Sequence, residues 1–235
     1  MYNKISQTLS STTLFNFTDS IKYLMDNLEN GFYVSYTYEK LPHANIGYII
    51  PMACFCDIPL GQIKIHLTWY GNFGIGINKK YARKEYEICP VWYVHSHNRE
   101  IRNLVRQKNH NELAENKLLP YFKQYYGFQE KETGIYKKKH FYDEREWRYI
   151  PLNYKPELII NKSKEELSVL IKNKNKTPLN RMELDLNEIE YIIIEHEENL
   201  KILLPFLEKL AKKKKVSYED LIRKILLSRQ IKNDF

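Results

Sequence analysis

The sequence is short of the residues that typify several classes of protein. It has three cysteines and eight glycines in 235 residues. Three cysteines cannot form a disulfide framework and suit a reducing compartment, and so few glycines exclude a collagen or a Gly-rich linker protein. No apolar run approaches the roughly 20 residues that span a bilayer, and residues 1–11 lack the apolar centre of a secretory signal. We therefore expect a globular cytoplasmic protein with no membrane partner.

The signature motifs of several common enzymes are also missing. The sequence contains no phosphate loop of the form G-x-x-x-x-G-K and no G-x-G-x-x-G. It contains neither H-E-x-x-H nor G-x-S-x-G. These absences exclude the usual ATPase, dehydrogenase, zinc-protease and serine-hydrolase classes.

What is present is a formal net charge of +8, unevenly distributed. Residues 201–235 hold ten Lys or Arg against four acidic residues, whereas residues 181–199 hold one Arg against seven. A basic tail can bind nucleic acid through its phosphates. The alternative, which we favour, is a solvated helix face, because Lys reads phosphate less specifically than Arg.

The apolar patterning predicts short strands and helices in irregular alternation, without the even repetition of a doubly wound sheet. Residues 13–17 predict a strand, followed by a helix that Thr18 or Asp19 caps and Gly31 ends. Residues 99–126 predict two further helices. We therefore predict an α+β fold with mixed or antiparallel sheets. We divide it into one domain over residues 1–200 and a basic helical extension over residues 201–235.

Residues 143–149 form the most polar of the alternating segments. In an extended strand, Glu144, Glu146 and Arg148 project to one face. The opposite face carries Arg145, Trp147 and Tyr149. Two carboxylates and a guanidinium on one face are a candidate site, with the aromatic rings filling the core behind them. The alternative is an exposed face of alternating charges, stabilised by cross-strand pairs.

A second candidate lies where the first predicted strand meets its helix. Asn16 and Thr18 alternate with Phe15 and Phe17, so the polar pair faces one way and the aromatic pair the other. A helix N-terminus with amide and hydroxyl groups beside it can bind an anion or a ribose. The alternative is simple capping of the helix.

Cys54 and Cys56 invite a metal site with His95 and His97, since each pair could share a strand face. Structural zinc sites, however, favour two to four residues between cysteines, and cysteine is among the most buried residue types. We therefore expect core cysteines and no metal.

Arg106 and His110 lie four residues apart on a predicted helix and could form a nuclease pair. An isolated pair of this kind arises often by chance, so we rank an RNA-cleaving function last.

Read in order, several segments of the sequence resemble the AbiGi family of abortive phage-infection proteins. They are residues 14–18, the following helix to Gly31, residues 50–60, His66, residues 70–77 and residues 143–151. The most specific parts are the run from Cys54 to Pro59 and the run from Glu144 to Arg148. The resemblance covers roughly residues 10–152. It implies antiphage defence, and the family is usually described as the antitoxin of a two-gene module, which implies a protein partner encoded nearby.

A weaker likeness to ADP-ribosyltransferase-like folds implies an enzyme that uses NAD. By that likeness, Asn16 and Thr18 would contact the ribose of NAD, and Tyr70 or Phe73 would supply an aromatic ring. Asn16 departs from the pattern, which usually has His there, although its amide can still donate a hydrogen bond.

The same likeness assigns the catalytic role to Glu144 or Glu146, as a carboxylate that stabilises a developing cation. Arg148 or Arg145 would meet a phosphate.

Two functions follow from these resemblances. The first is binding of NAD or a related nucleotide and transfer of ADP-ribose to a macromolecule. The alternative is a non-catalytic antitoxin that neutralises a partner toxin by direct binding or represses its operon. In that case, residues 212–215 and the acidic residues 183–198 would form the interaction surface.

Overall fold

The computed structural model describes residues 10–41, 46–95, 97–106, 116–130 and 136–234. Its strands are β1 (Thr13–Thr18), β2 (Ser35–Lys40), β3 (Ile46–Cys56), β4 (Phe73–Asn78), β5 (Cys89–Pro90), β6 (Trp92–Val94), β7 (Phe122–Gln124), β8 (Tyr126–Glu130), β9 (Tyr136–His140), β10 (Glu146–Tyr149), β11 (Glu157–Ile160), β12 (Ile189–Ile194) and β13 (Ile225–Leu227). Its α-helices are α1 (Ile21–Asn30), α2 (Lys64–Tyr70), α3 (Lys79–Tyr86), α4 (Arg99–Arg106), α5 (Lys164–Lys174), α6 (Leu200–Lys214), α7 (Tyr218–Ile222) and α8 (Ser228–Asp234).

The chain divides into two compact units. The first unit comprises Met1–Phe32, Phe55–Glu87 and Arg181–Phe235, and the second comprises Tyr33–Cys54 and Ile88–Asn180. Each unit therefore draws on separate stretches of the sequence, and residues 201–235 belong to the first.

The first unit is built on a sheet in which β1 and β4 run antiparallel. Their register pairs Thr13 with Asn78 and Thr18 with Phe73. On the other side of β4 lies β12, also antiparallel, and β13 pairs with β12 in parallel. Glycine is needed at position 74 of β4, opposite Phe17 of β1, because a Cβ there would lie only 2.7 Å from the ring of Phe17.

Both faces of this sheet are buried. Leu14 and Phe15 are neighbours on β1, so they point to opposite faces, and both are almost completely buried. The face of Phe15 packs with a cluster formed by Cys56, Ile58, Ile63, Leu67, Ile193 and Ile231. Apolar side chains on both faces are typical of a sheet covered by helices on each side.

Helix α1 starts later than the sequence suggests. Its N-cap is Ser20, whose hydroxyl accepts a hydrogen bond of 3.3 Å from the backbone N–H of Tyr23. The prediction of Thr18 or Asp19 as the cap is wrong, because β1 extends through Thr18. Gly31 ends the helix as predicted, with a φ of +87° that favours glycine.

The second unit has its core beneath β3. Strands β2 and β11 each pair with β3 in antiparallel fashion, and β10 pairs with β5. Strands β6 and β7 form a parallel pair, and β8 and β9 an antiparallel hairpin. The core consists of Leu41, Tyr48, Ile50, Met52, Leu119 and Phe122.

The predicted α+β class with mixed sheets is confirmed. Of the two helices predicted over residues 99–126, α4 occupies the start, and residues 107–115 lie outside the described residues. The prediction is wrong at the end of this range, where β7 occupies Phe122–Gln124. A strand of three residues is too short to show an alternating pattern in the sequence. Phe122–Gln124 are extended because they pair in parallel with β6. Within the described parts of the chain, no helix is long and apolar enough to cross a membrane.

Candidate functional site

A buried cluster of charges occupies the second unit, and β10 is its centre. Glu146 and Arg148 lie two residues apart on this strand and share one face, which is buried. Trp147 and Tyr149 are half-buried on the other face. The alternation that the sequence predicted is therefore present, but it is the charged face that points inward.

Arg148 is completely buried and uses its guanidinium as a junction. Its Nε donates to Oε1 of Glu146 at 2.6 Å, and its Nη2 donates to Oε1 of Glu39 at 2.8 Å. Its Nη1 donates to the hydroxyl of Tyr48 at 3.1 Å and to the carbonyl of Pro120 at 2.5 Å. One side chain thus links β2, β3, β10 and the segment that precedes β7.

Two lysines complete the cluster. Lys123 of β7 donates to Glu144 at 2.5 Å and also bonds Glu146. Lys139 of β9 pairs with the other oxygen of Glu144 at 2.7 Å. We call the resulting group of Glu39, Glu144, Glu146, Lys123, Lys139 and Arg148 the charge network, in which three carboxylates meet three cations.

The ionisation of the central groups follows from these pairings. Burial alone would raise the pKa of Glu146, but Arg148 and Lys123 hold it well below its usual range. At Glu144, burial also raises the pKa, but the attraction of Lys123 and Lys139 is stronger and the net effect is a lowered pKa. Burial would lower the pKa of Lys123, yet the surrounding carboxylates raise it well above normal. These groups are therefore all charged at neutral pH.

At Glu39 and Lys139, on the edge of the charge network, the pKa shifts toward the neutral form instead. At Glu39, burial outweighs the attraction of Arg148 and Lys123 and raises the pKa. At Lys139, burial outweighs the attraction of Glu144 and lowers the pKa. The network is thus most firmly ionised where Arg148, Lys123 and Glu146 meet.

Cys54 lies beside this network at the end of the β3 stretch that belongs to the second unit. Its side chain is reached by solvent, yet the surrounding protein raises the pKa of its thiol well above normal, and the carboxylate of Glu146 raises it further. A thiol held in the protonated form is a poor nucleophile.

The expected alternative of an exposed face of charges is wrong. Glu144, Glu146 and Arg148 are 4%, 6% and 0% exposed. Glu144 also lies outside the strand, in a 3₁₀ turn spanning Phe141–Glu144, and Arg145 follows it with a φ of +46°. It is Lys123 that brings Glu144 and Glu146 together, rather than a shared strand face.

The remaining residues predicted for this site lie in the first unit. Thr18 pairs with Phe73 across β1 and β4, and Tyr70 ends α2 next to Gly71. A Cβ at Gly71 would lie 2.1 Å from the carbonyl oxygen of Thr18, so the end of α2 closely approaches the end of β1.

Asn16 accepts a hydrogen bond of 3.4 Å from the amide of Asn27 in α1. The predicted site residues thus fall into two groups: Asn16, Thr18, Tyr70 and Phe73 in the first unit, and Glu144, Glu146 and Arg148 in the second.

The sequence analysis missed Glu39, Lys123 and Lys139. Glu39 is one of two charged residues in the otherwise polar and aromatic strand β2, and Lys123 follows a buried phenylalanine. Neither pattern distinguishes a buried cation or anion from an exposed one. Only the surplus of carboxylates at residues 143–146 signals that cations from elsewhere are needed.

The prediction of core cysteines is right for Cys56 and wrong for Cys54. Cys56 is buried in the apolar cluster around Phe15, whereas Cys54 and Cys89 are exposed. Cys54 adjoins charged groups and Cys89 lies in the two-residue strand β5, so neither belongs to an apolar core.

Among the described residues, no group of three or more His, Cys, Asp or Glu is arranged to hold a metal ion. Of the predicted pair, Arg106 is the last residue of α4, and His110 lies outside the described residues.

We predict that Arg148→Met destabilises the protein by about 3–5 kcal/mol, because it leaves Glu39 and Glu146 buried without their cation. Chemical unfolding followed by circular dichroism measures this loss. The matched control is Arg99→Met, at an exposed position, with an expected change within about 0.5 kcal/mol. Equal effects of the two substitutions would contradict the structural role of the network.

We predict that part of the stability is lost in acid. The pKa of Glu144 is lowered in the folded state, so its ionised form stabilises the fold fully above its unfolded pKa of about 4.3. That contribution disappears as the pH falls through the folded value. The difference in unfolding free energy between the wild type and Glu144→Gln should therefore narrow from pH 7 to pH 3. A constant difference over this range would be inconsistent with the lowered pKa.

Comparison with known proteins assigns the chain to a family. Residues 28–195 match the profile of a family described as "Putative abortive phage resistance protein AbiGi, antitoxin". A protein of Lactococcus lactis subsp. cremoris named "Abortive phage resistance protein AbiGi" is 28% identical over 252 aligned residues, which cover 91% of this chain and 98% of the relative. No solved structure matches the chain, so the likeness to ADP-ribosyltransferases stays a prediction. The family match covers well over half of the sequence, and the chain therefore belongs to the AbiGi family of abortive phage resistance proteins.

Proposed function

We propose that this chain is the antitoxin of an abortive-infection pair and that it restrains its toxin by direct binding. The observation that carries this proposal is the state of the charge network. Its carboxylates and cations are buried and bonded to one another, which is an arrangement that stabilises a fold. The description of the family as an antitoxin supports the same function.

Acid–base catalysis requires a group that can exchange a proton near neutral pH. Glu146 and Glu144 are held in the ionised form, and Lys123 and Arg148 in the protonated form. The thiol of Cys54 has a raised pKa and is not activated as a nucleophile. The central groups of the charge network are therefore unsuited to proton transfer at neutral pH.

The first unit offers a charged surface for such a partner. Glu183, Glu190, Glu197 and Glu198 are exposed in the acidic segment. The lysine run that ends α6, Lys212 to Lys215, is exposed as well. Surfaces that carry groups of both signs steer a complementary partner and select against others.

Part of this surface is already neutralised within the unit. Lys212 pairs with Glu208 at 2.6 Å, and Lys213 pairs with Glu29 at 2.8 Å. Lys214 and Lys215 follow at the exposed end of the helix. We therefore assign the main role in attracting the toxin to these last two lysines.

We predict that Lys214→Glu combined with Lys215→Glu slows association with the toxin about tenfold at low salt, because the steering charge is reversed. Surface plasmon resonance with the purified toxin measures the rate, and the difference should shrink as salt is added. The control is Lys172→Glu with Lys176→Glu, which makes the same charge change near the end of α5.

Two outcomes would contradict the proposal. One is that the neighbouring gene product fails to co-purify with the wild-type chain. The other is that the control pair slows association as much as the pair on α6, since the effect would then reflect net charge alone.

Transfer of ADP-ribose from NAD is the second candidate function. Its support is the ionised state of Glu146, because a carboxylate that stabilises an oxocarbenium-like transition state must carry a charge. Against it, Oε1 of Glu146 is bonded to Arg148 and Oε2 to Lys123. A ribose hydroxyl would have to compete with both cations.

Calorimetric titration with NAD separates the two candidates. On the antitoxin proposal we expect no binding of NAD to the wild type. Binding that Thr18→Val weakens would instead favour the nucleotide-binding function, because the hydroxyl of Thr18 was predicted to contact the ribose.

A further inference from the structure

A group of tyrosine and histidine rings gathers on the surface of the second unit, apart from the charge network. We call it the ring platform, and its members are His95, His97, Tyr125, Tyr126, His140 and Tyr142. Neither function proposed above uses these residues, and the metal site considered for His95 and His97 is not one that we expect. They come from three separate places in the sequence, so the fold is what brings them together.

Backbone pairing positions the rings. Tyr126 and His140 are opposite each other in the hairpin of β8 and β9. The backbone N–H of Tyr125 donates to the carbonyl of Val94 at 2.9 Å, next to His95. The N–H of Tyr142 donates to the carbonyl of Tyr125 at 3.3 Å. The rings are therefore held by the same backbone bonds that build this part of the unit.

The rings contact one another closely. Tyr125 and Tyr142 are stacked with centroids 5.4 Å apart and planes inclined by 25°. His95 lies 5.4 Å from Tyr126 and 5.2 Å from His97. These spacings are typical of interacting aromatic pairs.

Unlike the core of the unit, this group reaches solvent. The three histidines are exposed and the three tyrosines are half-buried. A cluster formed only to stabilise the fold would be buried, as Tyr48 and Phe122 are in the core below β3. The group is therefore within reach of a ligand in solution.

Two cations lie over these rings. Nζ of Lys138 is 5.3 Å from the centroid of Tyr126, and the guanidinium of Arg145 is 4.4 Å from the centroid of Tyr142. The acidic residues that adjoin them in sequence are Asp143, which is exposed, and Glu144, which is buried and paired with lysines. The surface beside the rings is therefore basic.

We propose that the ring platform binds a single-stranded nucleic acid. Bases would stack on the exposed histidine rings and on the tyrosine rings. Lys138 and Arg145, which lie over Tyr126 and Tyr142 in the free protein, would turn to meet the phosphates. Stacked aromatic rings beside cations are the combination that binds single strands. A protein partner fits less well, because the six members include no aliphatic side chain and protein interfaces have apolar centres.

The test is binding of fluorescently labelled 12-nucleotide single strands, one of poly-U RNA and one of poly-dT DNA, to the full chain. We expect the wild type to bind at low salt and Tyr126→Ala to raise the dissociation constant about tenfold or more. Tyr126→Phe keeps the ring and should bind as the wild type does. A plot of the logarithm of the binding constant against the logarithm of the salt concentration should be less steep for Lys138→Gln, by about 0.7 in slope. This is the value expected for one phosphate contact on a single strand.

The matched control is Tyr154→Ala, which removes a partly exposed tyrosine elsewhere in the second unit. Circular dichroism checks that Tyr126→Ala remains folded. If Tyr126→Ala does not fold, the separate variants Tyr126→Phe and Lys138→Gln test the proposal. Binding of either strand that depends on Tyr126 and Lys138 supports the proposal.

Three results would overturn it. The first is no binding of either strand at low salt. The second is binding that Tyr126→Ala and Tyr154→Ala weaken equally. The third is binding that is abolished by Lys214→Glu with Lys215→Glu and untouched by Lys138→Gln, since the lysine run of α6 would then be the site. Loss of toxin binding in Tyr126→Ala, without an effect on the strands, would identify a protein surface instead.

Discussion

The buried guanidinium of Arg148 is the group on which the second unit depends. It bonds two carboxylates, a tyrosine hydroxyl and a backbone carbonyl that come from four parts of the sequence. A buried cation is tolerated only where such partners surround it, and removal of one partner leaves the other charges buried without compensation. The same dependence extends through Glu146 to Lys123, and from Lys123 to Glu144 and Lys139. Segments far apart in the sequence are thus held in one arrangement by charge rather than by apolar packing alone.

This network also constrains the function. The run from Glu144 to Arg148 lies within the part of the chain that matches the AbiGi family, and its two carboxylates and guanidinium suggest a catalytic motif. In the structure its charged side chains bond to one another. In this chain, the polar run therefore serves to join the segments of the second unit. For an antitoxin, a rigid scaffold with charged and aromatic surface groups is sufficient.

Part of this could be predicted from the sequence, and the reasons are physical. Strand β1 and helix α1 were predictable because the alternation around Phe15 and the stop at Gly31 are local signals. The shared face of Glu146 and Arg148 was predictable from the period of a strand. Their burial was not, since it depends on Glu39 and Lys123, which only the fold brings near. The ring platform was missed for the same reason, because its rings are assembled by pairing between β8 and β9 and by bonds from Tyr125 and Tyr142.

The central claim is that the charge network supports the fold and takes no part in chemistry. The most direct measurement combines Glu39→Gln, Glu146→Gln and Arg148→Met, which removes the guanidinium together with its two carboxylate partners. It scores the growth of cells that also express the toxin of the proposed pair. If the triple variant folds, the account predicts that it rescues growth as well as the wild type does. A folded triple variant that fails to rescue growth, while it still binds the toxin, would contradict the account and return the network to a catalytic role.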